Sequence, residues 1–286
     1  YRVDECLRSS STCELYRVQD MLRDERHLLM RPSESIVKAE GGRAWFEAYA
    51  QKAIRLPSHE SLLSYTDLET GGEVPFLVGE DFDGRGWEEL IAAGELGDLP
   101  AMLSVAIGVA RGLECLHSNG LIHYNVKPAN VLVDGQHRVK IWRSCQPHCK
   151  TRAYASPEQT AGEPDLTPAT DVWSFAASVL EMFVGRVTWR DSQRLSVSLV
   201  RYMWHGAANP GLAIMPGPLA ELLTRCLKKD PAQRTVSMSE VVRQLEDIRQ
   251  EVSRAATRPS AQEGRRREPA ESAEPSHDAP GRPTAN

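Results

Sequence analysis

From Tyr1 to about Val78, short apolar runs alternate with polar turns, the pattern of a small, mostly β unit. Tyr16–Asp20 and His27–Met30 read as strands joined through Arg23-Asp24-Glu25, and Pro75–Glu80 reads as another. One stretch near Ala44–Leu56 has helical spacing instead. From Leu99 the pattern turns helical. Met102–Ser118 keeps its apolar residues on one face and stops at Asn119-Gly120, a good helix terminus. Val131–Val133, the turn Asp134-Gly135 and Val139–Ile141 form a hairpin signal. Phe175–Phe183 and Ser239–Arg249 return to helical spacing. The pattern predicts a β-rich first lobe and a larger helical second lobe, an α+β chain.

Past about Ser253 the composition changes. Pro259, Pro269, Pro275, Pro280 and Pro283 and the triplet Arg265-Arg266-Arg267 lie among Ala, Ser and Glu, without a large apolar residue. Such a stretch cannot bury enough surface to offset its ordering entropy, so 253–286 is expected to be a disordered tail or linker.

The whole-chain balance adds little: 41% hydrophobic, 26% charged and a formal charge of −5 are ordinary for a globular protein. They offer no case for nucleic acid as a partner. No uninterrupted apolar run reaches the roughly 18 residues of a membrane span. The nearest, Ala101–Ala110, is broken by Ser104, so no membrane segment is expected. Without a leader pattern a cytoplasmic setting is expected, and the opening at Tyr1 reads like a piece of a longer protein. The six cysteines are expected as reduced thiols. Cys145, His148 and Cys149 cluster, but no second pair completes four ligands, so no metal site is expected.

Four motifs occur in order at informative spacing: His123-Tyr124-Asn125-Val126-Lys127-Pro128-Ala129-Asn130, Ser156-Pro157-Glu158, Asp171-Val172-Trp173-Ser174, and Asp230-Pro231-Ala232-Gln233-Arg234. Together they resemble the eukaryotic-type protein kinases, in their bacterial Ser/Thr form, whose loop reads H-R-D-L-K-P-x-N. The resemblance covers residues 1–252 and implies a bilobal kinase-like fold, with an N-lobe of about 1–80 and a C-lobe of about 84–252. It assigns structural roles to His123, Glu158, Asp171 and Arg234, with Glu158 and Arg234 expected as a buried ion pair. Lys127 and Asn130 are retained.

The departures fall on the chemistry. Asn125 stands at the catalytic Asp, and an amide has no useful basicity near neutral pH. Arg143 stands at the Mg²⁺-binding Asp, with Ser144 at the adjoining Phe. Met30 takes the place of the phosphate-binding Lys, and Leu28 that of a small Ala above adenine. Tyr49 takes the place of the Glu that pairs the Lys; Glu47, two residues away, is turned by about 200° on a helix. Arg31 follows Met30 but points to the opposite strand face. The stretch Arg8–Cys13 replaces a glycine-rich phosphate loop without one glycine. Gly79 occupies the position at the back of the cleft, Glu80 begins the hinge, and Leu132 joins Leu28 as a cleft candidate. Arg143 with Lys127 would make the cleft floor basic, and Thr151 is a candidate for phosphorylation. The expectation is a catalytically impaired kinase-like domain, a pseudokinase, serving as a regulatory or interaction module for a protein partner, without ATP or Mg²⁺ as cofactor. A divergent Ser/Thr kinase and a non-catalytic nucleotide binder are the alternatives.

Overall fold

The computed structural model describes residues 1–142, 151–207, 211–234 and 237–257. The N-terminal lobe is one antiparallel sheet in the order β1-β2-β3-β5-β4, built from β1 (Arg2–Ser9), β2 (Cys13–Asp20), β3 (Glu25–Pro32), β4 (Tyr65–Glu69) and β5 (Phe76–Gly79). Two helices interrupt it, the short α1 (Glu34–Val37) and α2 (Gly42–Ile54). α2 turns Phe46, Ala50 and Ala53 inward, the i, i+4, i+7 stripe of a helix lying on a sheet. The sequence pattern locates α2 within two residues but leaves α1 and β4 unread.

A strand–helix segment, β6 (Gly84–Gly86) and α3 (Trp87–Ala93), leads into the second lobe. That lobe is carried by α4 (Leu99–Ser118), α5 (Pro157–Ala161), α6 (Ala169–Val184), α7 (Leu195–His205), α8 (Gly217–Cys226) and α9 (Met238–Thr257). Asp98 caps α4 by accepting from the Ala101 N–H at 3.0 Å. By length and composition α4 could cross a membrane, although the broken apolar run argued otherwise. Most of it is buried in the core beside α6 and α9. Gly108 and Gly112, one turn apart, make its fit possible: a Cβ there would come within 2.7 Å of Val139 and of Ile141 respectively. α9 continues to Thr257, five residues beyond the expected start of the tail. Its apolar face lies on α4, Arg111 joins Glu246 across the seam at 2.6 Å, and Val252 is the last residue packed on the core.

The hairpin β7 (Val131–Asp134) and β8 (Val139–Ile141) divides the two cores. Alternation sends Val131, Val133, Val139 and Ile141 into the C-lobe core under α4. Leu132 and Trp142 go to the opposite face and join the N-lobe core. Backbone bonds tie the lobes at this seam: Ile141 N–H to Ser61 O at 2.8 Å, and Leu63 N–H to Ile141 O at 2.9 Å.

Glu158 and Arg234 form a two-pronged ion pair at 2.6 and 2.8 Å, both side chains buried. Arg234 also donates to the carbonyls of Ala169, Lys228 and Lys229 and lies 5.0 Å over the Trp173 ring. Burial pushes the Glu158 carboxyl up, but the bonds from Arg234 prevail and hold it below its ordinary range. A fully bonded buried pair is costly to break from one side only. Alanine at either position should cost about 3–5 kcal/mol in thermal or chemical unfolding, and the double variant clearly less than the sum. Glu181 is different: it is buried with one partner, the Tyr154 hydroxyl at 2.6 Å, and burial pushes its carboxyl up to about 7. An acid whose folded pKa is raised loses stability as pH climbs from its unfolded value towards the folded one. Glu181→Gln should therefore flatten a fall of about 3 kcal/mol between pH 4.5 and 7, read as denaturant midpoints across that range.

Candidate functional site

The loop from His123 to Asn130 hangs on one buried carboxylate. Asp171, in the first turn of α6, accepts from the N–H groups of His123 and Tyr124 at 2.7 and 2.9 Å and meets His117 Nε2 at 2.9 Å. These bonds hold Tyr124 at φ 66, a left-handed conformation that a bulky residue adopts only under constraint. Gln159 Nε2 secures the Tyr124 carbonyl from the far side at 2.8 Å. The Asn130 amide donates to the Asn125 carbonyl at 2.6 Å, and Lys127 Nζ lies 3.0 Å from Thr151 Oγ1. The loop is thus held in one conformation by Asp171, Gln159 and Asn130. It presents an amide, Asn125, where a base would act, while the Asp171 carboxylate is already occupied by three donors.

Above this loop lies the interlobe cleft. Leu28, Met30, Phe82, Leu132 and Trp142 belong to one buried cluster with Leu15, Tyr65 and Phe46. Met30 and Leu28 are fully buried, and Trp142 is 2% exposed. Met30, at the position of the phosphate-binding cation, receives the Tyr65 hydroxyl on its sulfur at 3.7 Å. Gly79 does not open the back of the cleft: a Cβ there would sit 3.3 Å from the Tyr65 ring and 3.1 Å from the Ser64 carbonyl, so tyrosine occupies the space glycine leaves. Glu80 pairs with Lys140 at 2.7 Å and accepts the Ser64 N–H at 2.8 Å. Across the mouth, Arg8 of β1 reaches Glu88 of α3 at 2.8 Å.

The remaining assigned positions are scattered. Tyr49 is half-buried, its ring 6.4 Å from Trp45 and 6.2 Å from Phe46. Glu47 pairs with Arg43 at 2.9 Å, away from the cleft. Arg31 turns to Glu14 at 2.7 Å on the outer face of the sheet. Arg143 and Ser144, with Cys145, His148 and Cys149, lie outside the described residues. Among the described residues no group of His, Cys, Asp and Glu is placed to hold a metal, and Cys6, Cys13, Cys115 and Cys226 form no disulfide with one another. Sequence reasoning passed over Trp142, Phe82 and Tyr65. For Trp142 the signal was present: it shares strand parity with Lys140, not with the core-facing Val139 and Ile141.

Comparison with known proteins agrees with this arrangement. The protein kinase domain family matches residues 32–245. A probable serine/threonine-protein kinase of Clostridium acetobutylicum is 23% identical over 87% of this chain and 40% of its own. One from Clostridium perfringens is 28% identical over 74% of this chain and 33% of its own. Serine/threonine-protein kinase PknL of Mycobacterium tuberculosis is 27% identical over 88% of this chain and 66% of its own. The chain thus spans a third to two thirds of the length of these relatives. The PknI kinase domain of Mycobacterium tuberculosis superposes with a TM-score of 0.64 at 22% identity, over 86% of this chain and 94% of that one. On its motifs, its two-lobed fold and the family match across most of its length, the chain belongs to the protein kinase family.

Proposed function

We propose that this domain is a pseudokinase, a regulatory or protein-interaction module that neither holds Mg²⁺-ATP nor transfers phosphate. The observation that carries the reading is the packing of Trp142 with Leu28, Met30, Phe82 and Leu132 in one buried cluster. In the family the corresponding space receives the nucleotide. A nucleotide entering here would have to displace the indole from that core. Truncating a buried aromatic costs about 3–5 kcal/mol, so displacement at that scale would weaken binding by more than about a hundredfold. Nothing at Met30 would then repay the loss through phosphate charge. Asn125 adds a second obstacle, since a positioned base is worth about 10²–10⁴-fold in rate. Arg143 at the metal position would repel Mg²⁺. Surviving scaffold with altered chemistry fits a domain retained for its surface.

The relatives are named as serine/threonine kinases, and the assembled Lys127–Asn130 loop favours one other reading, a divergent kinase of that kind. Thermal unfolding with ATP, with and without Mg²⁺, separates the two. We expect no Mg²⁺-dependent stabilisation, whereas a hundredfold excess over Kd would add about 2.7 kcal/mol. Radiolabelled phosphate transfer should be absent, and Asn125→Asp alone should not restore it. Saturable, Mg²⁺-dependent stabilisation or restored transfer would overturn the proposal.

A further inference from the structure

Helix α7 has two apolar faces, and the domain uses one. Leu195, Leu199 and Tyr202 face the C-lobe core and are buried. Val197, Val200 and Trp204 follow the same helical spacing on the opposite side and are 68%, 52% and 81% exposed. An indole left in water over most of its surface is uncommon, and a contiguous exposed apolar stripe marks a contact surface. The adjoining side of α7 is basic: Arg194, Arg201 and His205 fall in one row beside the stripe. Next to that row a cavity of about 510 Å³ opens, lined by Ser198, Arg201 and His205 from α7 and by Arg186, Val187 and Thr188 from the segment before it. Arg186, Arg190, Arg194 and Arg201 are all exposed, and among the described residues none has a carboxylate partner. The stretch 184–207 contains a single acid, Asp191, whose side chain is turned to the Gln193 N–H at 3.1 Å.

We propose that this ridge and groove form a docking site for an acidic amphipathic segment of a protein partner, one presenting apolar side chains flanked by carboxylates. The apolar stripe supplies the contact area, the arginine row selects charge, and the concave groove takes an inserted side chain. A second copy of this chain would set these arginines against each other. The chain's own residues 258–286 carry carboxylates but no large apolar side chain to fill the groove. A flat anionic bilayer would leave the groove unused. The proposal rests on reading the domain as an interaction module, but α7 contributes nothing to the cleft cluster.

The test uses the full 286-residue chain and fluorescent helical peptides with Leu at i, i+3 and i+7 and Glu on the flank. Glu→Gln peptides, phosphatidylglycerol vesicles and a single-stranded oligonucleotide serve as competing probes. Saturable binding of the Glu peptides below about 100 µM is expected. Trp204→Ala and Arg201→Glu, both at exposed positions and checked for unchanged thermal unfolding, should each weaken it about tenfold or more. High salt should weaken it too. No saturable peptide binding, equal binding by the Gln peptides or the two variants, or preference for vesicles or oligonucleotide would overturn the proposal. Such failure would leave the nucleotide titration unchanged, and nucleotide binding would leave the peptide result unchanged, so the two readings fall separately.

Discussion

A strand must send successive side chains to opposite faces, and Trp142 directly after β8 falls on the face opposite the one that α4 has already filled. Val139 and Ile141 press against α4, where Gly108 and Gly112 clear the space, and this fixes the hairpin between the lobes. Lys140 and Trp142 then point the other way. Lysine reaches a carboxylate, Glu80, at 2.7 Å, while tryptophan joins the apolar cluster of the N-lobe. Leu28 and Met30 meet it from β3 above, Leu132 from β7 and Phe82 from the segment after β5. These side chains pack as one buried cluster between the hairpin and the N-lobe sheet.

The second lobe follows a different logic. Its polar groups are buried in networks in which the loss of one member strands the others. Asp171 holds two backbone N–H groups and a histidine, and Glu158 holds an arginine that in turn holds three carbonyls. None of this requires phosphate chemistry, so a domain selected only to stay folded keeps it. Elsewhere on this lobe, α7 leaves Val197, Val200 and Trp204 exposed.

Much of this was legible in the sequence because motifs with fixed spacing report on networks. Glu158 and Arg234 stand 76 residues apart, yet the motifs around them were enough to anticipate their meeting. Strand and helix boundaries came from periodicity, and most were within a few residues. What escaped depended on the third dimension. Which side chain takes up the space beside Gly79 could not be read: it is Tyr65, fourteen residues earlier and on the neighbouring strand β4. Strand parity puts Trp142 on the face of Lys140, but parity alone does not say which side chains from the other lobe will pack against it. The composition shift near Ser253 does not mark the helix end, because α9 continues to Thr257 while composition reports only on the chain's average character.

The proposed loss of nucleotide binding depends on Trp142 being a core residue between the lobes. Equilibrium denaturation of Trp142→Ala against the parent chain tests this directly. A buried indole packed against the N-lobe core should cost about 3–5 kcal/mol when truncated, with the denaturant slope preserved. A loss under about 1 kcal/mol would place the indole in an open, solvated cleft and contradict the account.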